Sequence, residues 1–224
     1  MVGVHIIARE LPSFLQGTLV AIEVLLGLIT LGLILGLILA AMEAYGNKLI
    51  SIIAVIIERV FRGIPPVVLL LLVFYLPFDL PPIVVAIVAL GLCSAAYQSQ
   101  IFRGAIQSIK SGQMMAALAL GMSRLRAIRY IILPQAIRRA IGPWSNEFSS
   151  EIKDTSLAYI VGVVEILRRA RYIITYTYGH SLVIYVFCAI IYLILTRAGN
   201  SLLYYLERKL WVPGFERRNV ERRA

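Results

Sequence analysis

Three carboxylates stand at helical spacing inside an otherwise apolar stretch: Glu147, Glu151 and Asp154, within "WSNEFSSEIKDTS". Spacings of i, i+4 and i+7 put all three on one face of an α-helix. Ser145, Asn146, Ser150 and Thr155 accompany them, and Lys153 is the one local base. If ionised, the acids outnumber it by two, and a cationic guest fits that surplus. A carboxylate on the same guest can be received by Lys153 or by helix-end N–H groups freed elsewhere in the bundle. Turned toward lipid, the three ionised acids would together cost roughly 8 to 10 kcal/mol on a translocon scale. They therefore face a polar path or partners. Structural pairing with Lys153 and with arginines on other segments is the alternative, and it leaves no charge preference.

Other polar groups lie inside apolar segments. Glu58 and Arg62, at i and i+4, either neutralise each other or touch a substrate. Tyr97 and Gln98 sit in mid-segment as substrate contacts or as interhelical hydrogen-bonding groups. Glu23 is alone in the first segment and is expected to be paired inside the bundle, because an unpaired charge facing lipid is costly. The chain has no G-x-x-x-x-G-K-[ST] phosphate loop, and His5 and His180 are isolated from each other and from any nucleophile. Neither an enzyme nor a metal site is expected, and no cofactor is expected in this chain.

Of the 224 residues, 60% are hydrophobic and only 15% charged, and the mean hydropathy is +0.84. These values describe an all-α integral membrane protein. Five apolar segments are each long enough to cross a bilayer: about 17–41, 51–76, 82–106, 137–164 and 181–206. They make one bundle domain over residues 1–224. Pro65-Pro66 is expected to break or kink the second segment and leave backbone groups facing a cavity. Cys93 and Cys188 both lie in apolar segments, so no disulfide is expected.

The net charge of +10 is distributed by membrane side, and nucleic acid is not the expected partner. Lys48, the segment from Arg103 to Arg139 and the tail from Arg208 to Arg223 hold fourteen Lys and Arg, whereas Arg9, Arg168, Arg169 and Arg171 make four on the other side. The bias predicts a cytoplasmic C-terminus and, with five crossings, an external N-terminus. The first segment is too long for a signal h-region and is expected to stay in the mature protein.

The loop over about 110–134 has its own logic. Met115 to Leu120 are strong helix formers, Gly121 is a helix terminator, Ser123 is an acceptable N-cap, and Arg124 to Leu133 supports a second short helix ended by Pro134. Leu125, Ile128 and Ile132 fall on one side of that helix, with Arg124 and Arg126 away from it. Such an element either lies on anionic lipid headgroups or docks into a partner.

Here the sequence becomes specific. Met115-Ala116-Ala117, then Gly121, then Ile131, Leu133 and Pro134 resemble the "EAA, three residues, G, nine residues, I-x-L-P" loop of ABC-importer membrane subunits. Met115 stands where that family usually has Glu. "ERVFRGIPPVVLLL" from Glu58, "SAAYQSQIFRGAIQSIKSGQ" from Ser94 and "LPQAIRRAIGPWSNEFSSEIKDTSLAYIVGVVEILRRAR" from Leu133 are similar to segments of the polar amino-acid permeases, with Gln100 at a usual Glu. The resemblance implies a type I ABC-importer transmembrane fold in a prokaryotic cell membrane. It also implies contact with a cytoplasmic ATPase dimer through Met115, Ala116, Ala117, Gly121, Ser123, Arg124, Leu133 and Pro134, with ATP and magnesium held by that partner. Further implied partners are a second permease chain, identical or paralogous, an external amino-acid-binding protein, and bilayer lipid. Candidate substrate contacts are Glu58, Tyr97, Gln98, Glu147, Glu151, Lys153, Asp154 and Thr155, and the acid surplus favours arginine, lysine or histidine. A permease for another small solute and a channel are the alternatives; a channel would not need a loop shaped for a partner.

Overall fold

The computed structural model describes residues 2–177 and 180–209, and every regular element among them is helical. In chain order these are α1 (Val2–Tyr45), α2 (Lys48–Gly63), α3 (Pro66–Phe74), α4 (Pro82–Gln107), α5 (Ser111–Ala119), α6 (Arg124–Ala127), a π-helical turn (Ile128–Ile132), α7 (Leu133–Asp154), a 3₁₀ stretch (Thr155–Val161), α8 (Ile166–Thr177) and α9 (Ser181–Lys209).

Among the described residues, three helices are long and apolar enough to cross a membrane: His5–Tyr45 within α1, Pro82–Gln107 and Ser181–Lys209. They answer to the first, third and fifth segments. The first is longer than its apolar part, because nothing in residues 2–16 stops a helix except Pro12, which α1 accommodates. At ~1.5 Å per residue its 44 residues extend about 66 Å. The second segment is divided. Ile64, held in extended geometry by the proline that follows it, ends α2, and Pro66 opens α3 in a first turn that needs no amide donor. The fourth is a polar α-helix whose last turns tighten into the 3₁₀ stretch ending at Val161.

The central packing is α1 against α4, made possible by small residues. Gly32, Gly36 and Ala40 recur every fourth position along one buried stripe of α1, a small-xxx-small pattern that lets helix backbones approach closely. A β-carbon added at Gly36 would lie 3.0 Å from the Ala95 carbonyl, and one added at Gly32 would overlap Ser94 Oγ. Around this pair, Val24, Leu28, Leu70, Val85, Leu90, Ile152 and Val161 form the main core. A second cluster joins α1 to α8 and α9 through Phe14, Ile166, Ile173 and Ile184, with Phe14 and Phe187 edge to face at 5.0 Å. Cys93 and Cys188 are buried and free.

The loop between α4 and α7 contains two short helices that meet at Gly121. The amide of Gly121 donates to the Leu118 carbonyl at 3.0 Å and that of Met122 to Ala117 at 3.1 Å, the paired bonds of a Schellman terminus. They require the left-handed backbone that Gly121 adopts, with φ of 80°. Ser123 caps α6 by accepting from the Arg126 amide at 3.4 Å. Two expectations fail beyond this point. Pro134 does not end the second helix: the chain passes from α6 through the π-helical turn into α7, where Pro134 occupies the first turn. Leu125 does not share the buried side with Ile132, because the wide π turn shifts the facing of the residues along it. Leu125 is 76% exposed and Ile132 only 5%.

Candidate functional site

The polar centre is assembled where α7 crosses α4. Glu151 is buried, and one of its carboxylate oxygens accepts from Ser94 Oγ and, at 3.0 Å, from Gln98 Nε2. Gln98 also donates to Ser94 Oγ at 2.7 Å, and its own carbonyl accepts from the Trp144 indole at 3.1 Å. All the polar atoms of Gln98, which is fully buried, are thereby spent on holding Glu151. The second oxygen of Glu151 is buried and has no hydrogen-bond partner. Glu151 lines a narrow cleft of about 20 Å³ together with Leu28, Pro66, Leu90, Cys93, Ser94, Tyr97, Glu147 and Asp154.

Four of the expected site residues, Tyr97, Glu147, Glu151 and Asp154, thus surround one cleft, and the three acids share the helical face that their spacing predicts. Gln98 stands behind that surface and orients Glu151. Thr155 is also buried and does not line the cleft; its hydroxyl donates to the Ile152 carbonyl at 2.6 Å. Lys153 is exposed and does not line the cleft. Pro66, the first residue after the break between α2 and α3, reaches the cleft wall, so the interruption of the second segment opens beside the acids.

Glu58 lies elsewhere. With Glu43, Val55, Arg59, Arg62, Gln100 and Arg103 it lines a separate cavity of about 130 Å³ among α1, α2 and α4. Arg62 Nη1 is 3.0 Å from Glu58 Oε1, the i, i+4 pair, and Arg103 Nε is 3.3 Å from Glu43 Oε2. Gln100 accepts from an Arg103 guanidinium nitrogen. Glu23, expected to be paired, is exposed on α1. Ser94 and Trp144 were not singled out from sequence. Their signal was present in the Ser94, Gln98 repeat at i, i+4, and in Trp144 three residues before Glu147.

The α5–α6 loop presents the opposite character. Met115 is 63% exposed and Leu120 82%, and Leu118, Leu125 and Tyr130 are exposed with them. Arg124, Arg126 and Arg129 are exposed among these apolar side chains. Ala117 is buried, Ala116, Gly121 and Ser123 are exposed, Leu133 is 37% exposed and Pro134 is half-buried. An apolar knob edged by arginines is chemistry for a protein cleft with an acidic rim.

The same residues can be set beside known proteins. The chain is 37% identical over 185 residues to the glutamine transport system permease protein GlnP of Escherichia coli strain K12, covering 80% of this chain and 84% of the relative. It is 30% identical over 210 residues to the histidine/lysine/arginine/ornithine transport system permease protein HisQ of the same organism, covering 87% and 92%. The crystal structure of an amino acid ABC transporter with histidines superposes with a TM-score of 0.83 at 31% identity, over 91% of this chain and 96% of that one. Residues 32–212 match the family described as binding-protein-dependent transport system inner membrane component. The all-helical bundle is a type I ABC-importer transmembrane fold, and this chain belongs to the binding-protein-dependent transport system inner membrane component family.

Proposed function

We propose that this chain is the permease subunit of an ATP-driven importer that carries a polar amino acid, with preference for the basic ones. The observation that carries the reading is the buried carboxylate of Glu151, held through one oxygen by Ser94 and Gln98, its other oxygen without a hydrogen bond, in the wall of a cleft that Glu147 and Asp154 also line. An ammonium or guanidinium is the ligand those oxygens lack. The cleft of about 20 Å³ has room for little more than one water molecule. The chamber is therefore completed by a second permease chain, identical or paralogous, that apposes the same face.

ATP hydrolysis belongs to a separate cytoplasmic ATPase dimer, which holds ATP and magnesium, and an external amino-acid-binding protein delivers the substrate. Met115, Leu118, Leu120 and Leu125 enter clefts on the ATPase, with Arg124 and Arg126 at the edge. ATP-driven closure of that dimer draws the two loops together, and α7, continuous with the loop through the π turn, carries the motion to the acids. The membrane is crossed five times, the divided α2–α3 and the polar α7 making the second and fourth crossings. The C-terminus is cytoplasmic and the N-terminus external.

The test is reconstitution of this chain with its ATPase in proteoliposomes, with binding protein and labelled arginine or glutamine outside. ATP-dependent accumulation with arginine favoured supports the reading. Equilibration of the amino acid across the membrane without ATP would make the chain a channel, and accumulation of a non-amino-acid solute would replace the substrate class.

A further inference from the structure

The cavity among α1, α2 and α4 has the features of a second ligand site. Its floor is acidic and enclosed: Glu58 is 2% exposed, as is the Glu43 side chain. One oxygen of each carboxylate, Glu43 Oε1 and Glu58 Oε1, is buried without a hydrogen bond, and so is Arg103 Nε. Both ion pairs, at 3.0 and 3.3 Å, are close contacts whose N–H groups are not aligned on the oxygens. The mouth is basic, because Arg59 is exposed and the Arg62 and Arg103 side chains are 44% and 35% exposed.

A simple anion would meet two carboxylates with open lone pairs on the floor. A simple cation would have to pass three guanidinium groups. The complement of an acidic floor under a basic rim is a zwitterion whose cationic donor leads and whose anion stays behind. The cavity of about 130 Å³ is several times what one water molecule needs, and has room for an ammonium, its α-carbon and a carboxylate with a small side chain.

We propose that this cavity binds a free α-amino acid through its main-chain groups, the ammonium on Glu43 and Glu58 and the carboxylate on Arg59, Arg62 and Arg103. The site is distinct from the Glu151 cleft and takes only a small side chain. It rests on the amino-acid reading of the permease, and by the orientation given above it opens toward the cytoplasm.

Equilibrium dialysis of tritiated alanine and tritiated serine against the detergent-purified complex tests it, with no binding protein present. One class of sites per permease chain should bind both probes, with glycine competing and neither methylamine nor acetate doing so. Val55→Phe, which fills the cavity and spares every charge, and Glu58→Gln should each weaken that class by tenfold or more. Glu151→Gln should leave it intact, even where that change alters arginine binding in the cleft. Unchanged binding in Val55→Phe would mean that the cavity holds only water, and the proposal would fall. Equal competition by methylamine or acetate would remove the zwitterion. Loss of all alanine binding in Glu151→Gln would also overturn the second site, while leaving the Glu151 cleft as the substrate site.

Discussion

Gly121 is where the loop is most open to a quantitative test. It sits at φ of 80°, and a β-carbon added there meets nothing within 4 Å. Substitution therefore meets torsional resistance and no steric clash. The left-handed region costs an L-residue about 1–2 kcal/mol, and a β-branched side chain is a stronger outlier there, whereas Asn is several-fold enriched. An exposed loop with an equilibrium of its own should shift by about 5- to 30-fold for Gly121→Ala at 1–2 kcal/mol. It should shift further for Gly121→Val and less for Gly121→Asn. Breaking the Schellman bonds frees the Ala117 and Leu118 carbonyls and changes the angle between α5 and α6. The apolar knob would then enter the ATPase cleft poorly aligned.

The assay is the number of ATP molecules hydrolysed per amino acid accumulated in proteoliposomes. Each variant is first shown to insert and to co-purify in comparable yield. The ratio should rise in the order wild type, Asn, Ala, Val. Gly121→Val coupled as tightly as wild type would refute the torsional account, and so would Gly121→Asn as damaged as Gly121→Val.

Glu151→Gln should lower arginine uptake about tenfold relative to glutamine, equivalent to ~1.4 kcal/mol, and equal selectivity before and after would take the acid out of the site. A cysteine-accessibility or fusion-tag experiment should find the C-terminus in the cytoplasm and the N-terminus outside, and both on one side would end the five-crossing topology. Gly32→Leu should cost at least about 1–3 kcal/mol of stability through overpacking, because its β-carbon overlaps Ser94 Oγ; an unchanged melting temperature in detergent would contradict the α1–α4 contact. Asn47→Ala should destabilise by about 1 kcal/mol and Ser123→Ala by less, since the first cap accepts at 2.9 Å and the second at 3.4 Å; thermal unfolding of the two in parallel checks the order.

Periodicity carried the acids and the loop a long way. Glu147, Glu151 and Asp154 were legible because the α-helical repeat is local, and Gly121 because a helix terminus is written in a few adjacent residues. The interruption at Pro65-Pro66 was legible for the same reason: a proline restricts the residue before it whatever the fold. Two things were not local. The turn at Ile128–Ile132 is π-helical, and no residue type announces that, so Pro134 reads as a stop in sequence while it opens α7 in space. The placing of Glu58 in its own cavity depends on Glu43 of α1 and Arg103 of α4 arriving beside α2, a meeting that spacing within one helix cannot reveal.

Gly32 joins packing to chemistry. An α1 residue of any larger size would hold its helix away from α4 and admit water to Ser94 and Gln98. With Gly there, the α1 backbone closes directly over that pair. Gln98 is left with only Ser94, Trp144 and Glu151 to bond. In a dry setting those hydrogen bonds strengthen, and an unmatched oxygen is costly. The free oxygen of Glu151 is thus held in a fixed direction by groups that never face the cleft, and its lone pairs remain for whatever cation enters. On the proposed reading, helix packing is what would make a single carboxylate selective: with Gly32 widened to Leu, Glu151 would keep its charge but lose its aim, and the expected preference for arginine over glutamine should disappear.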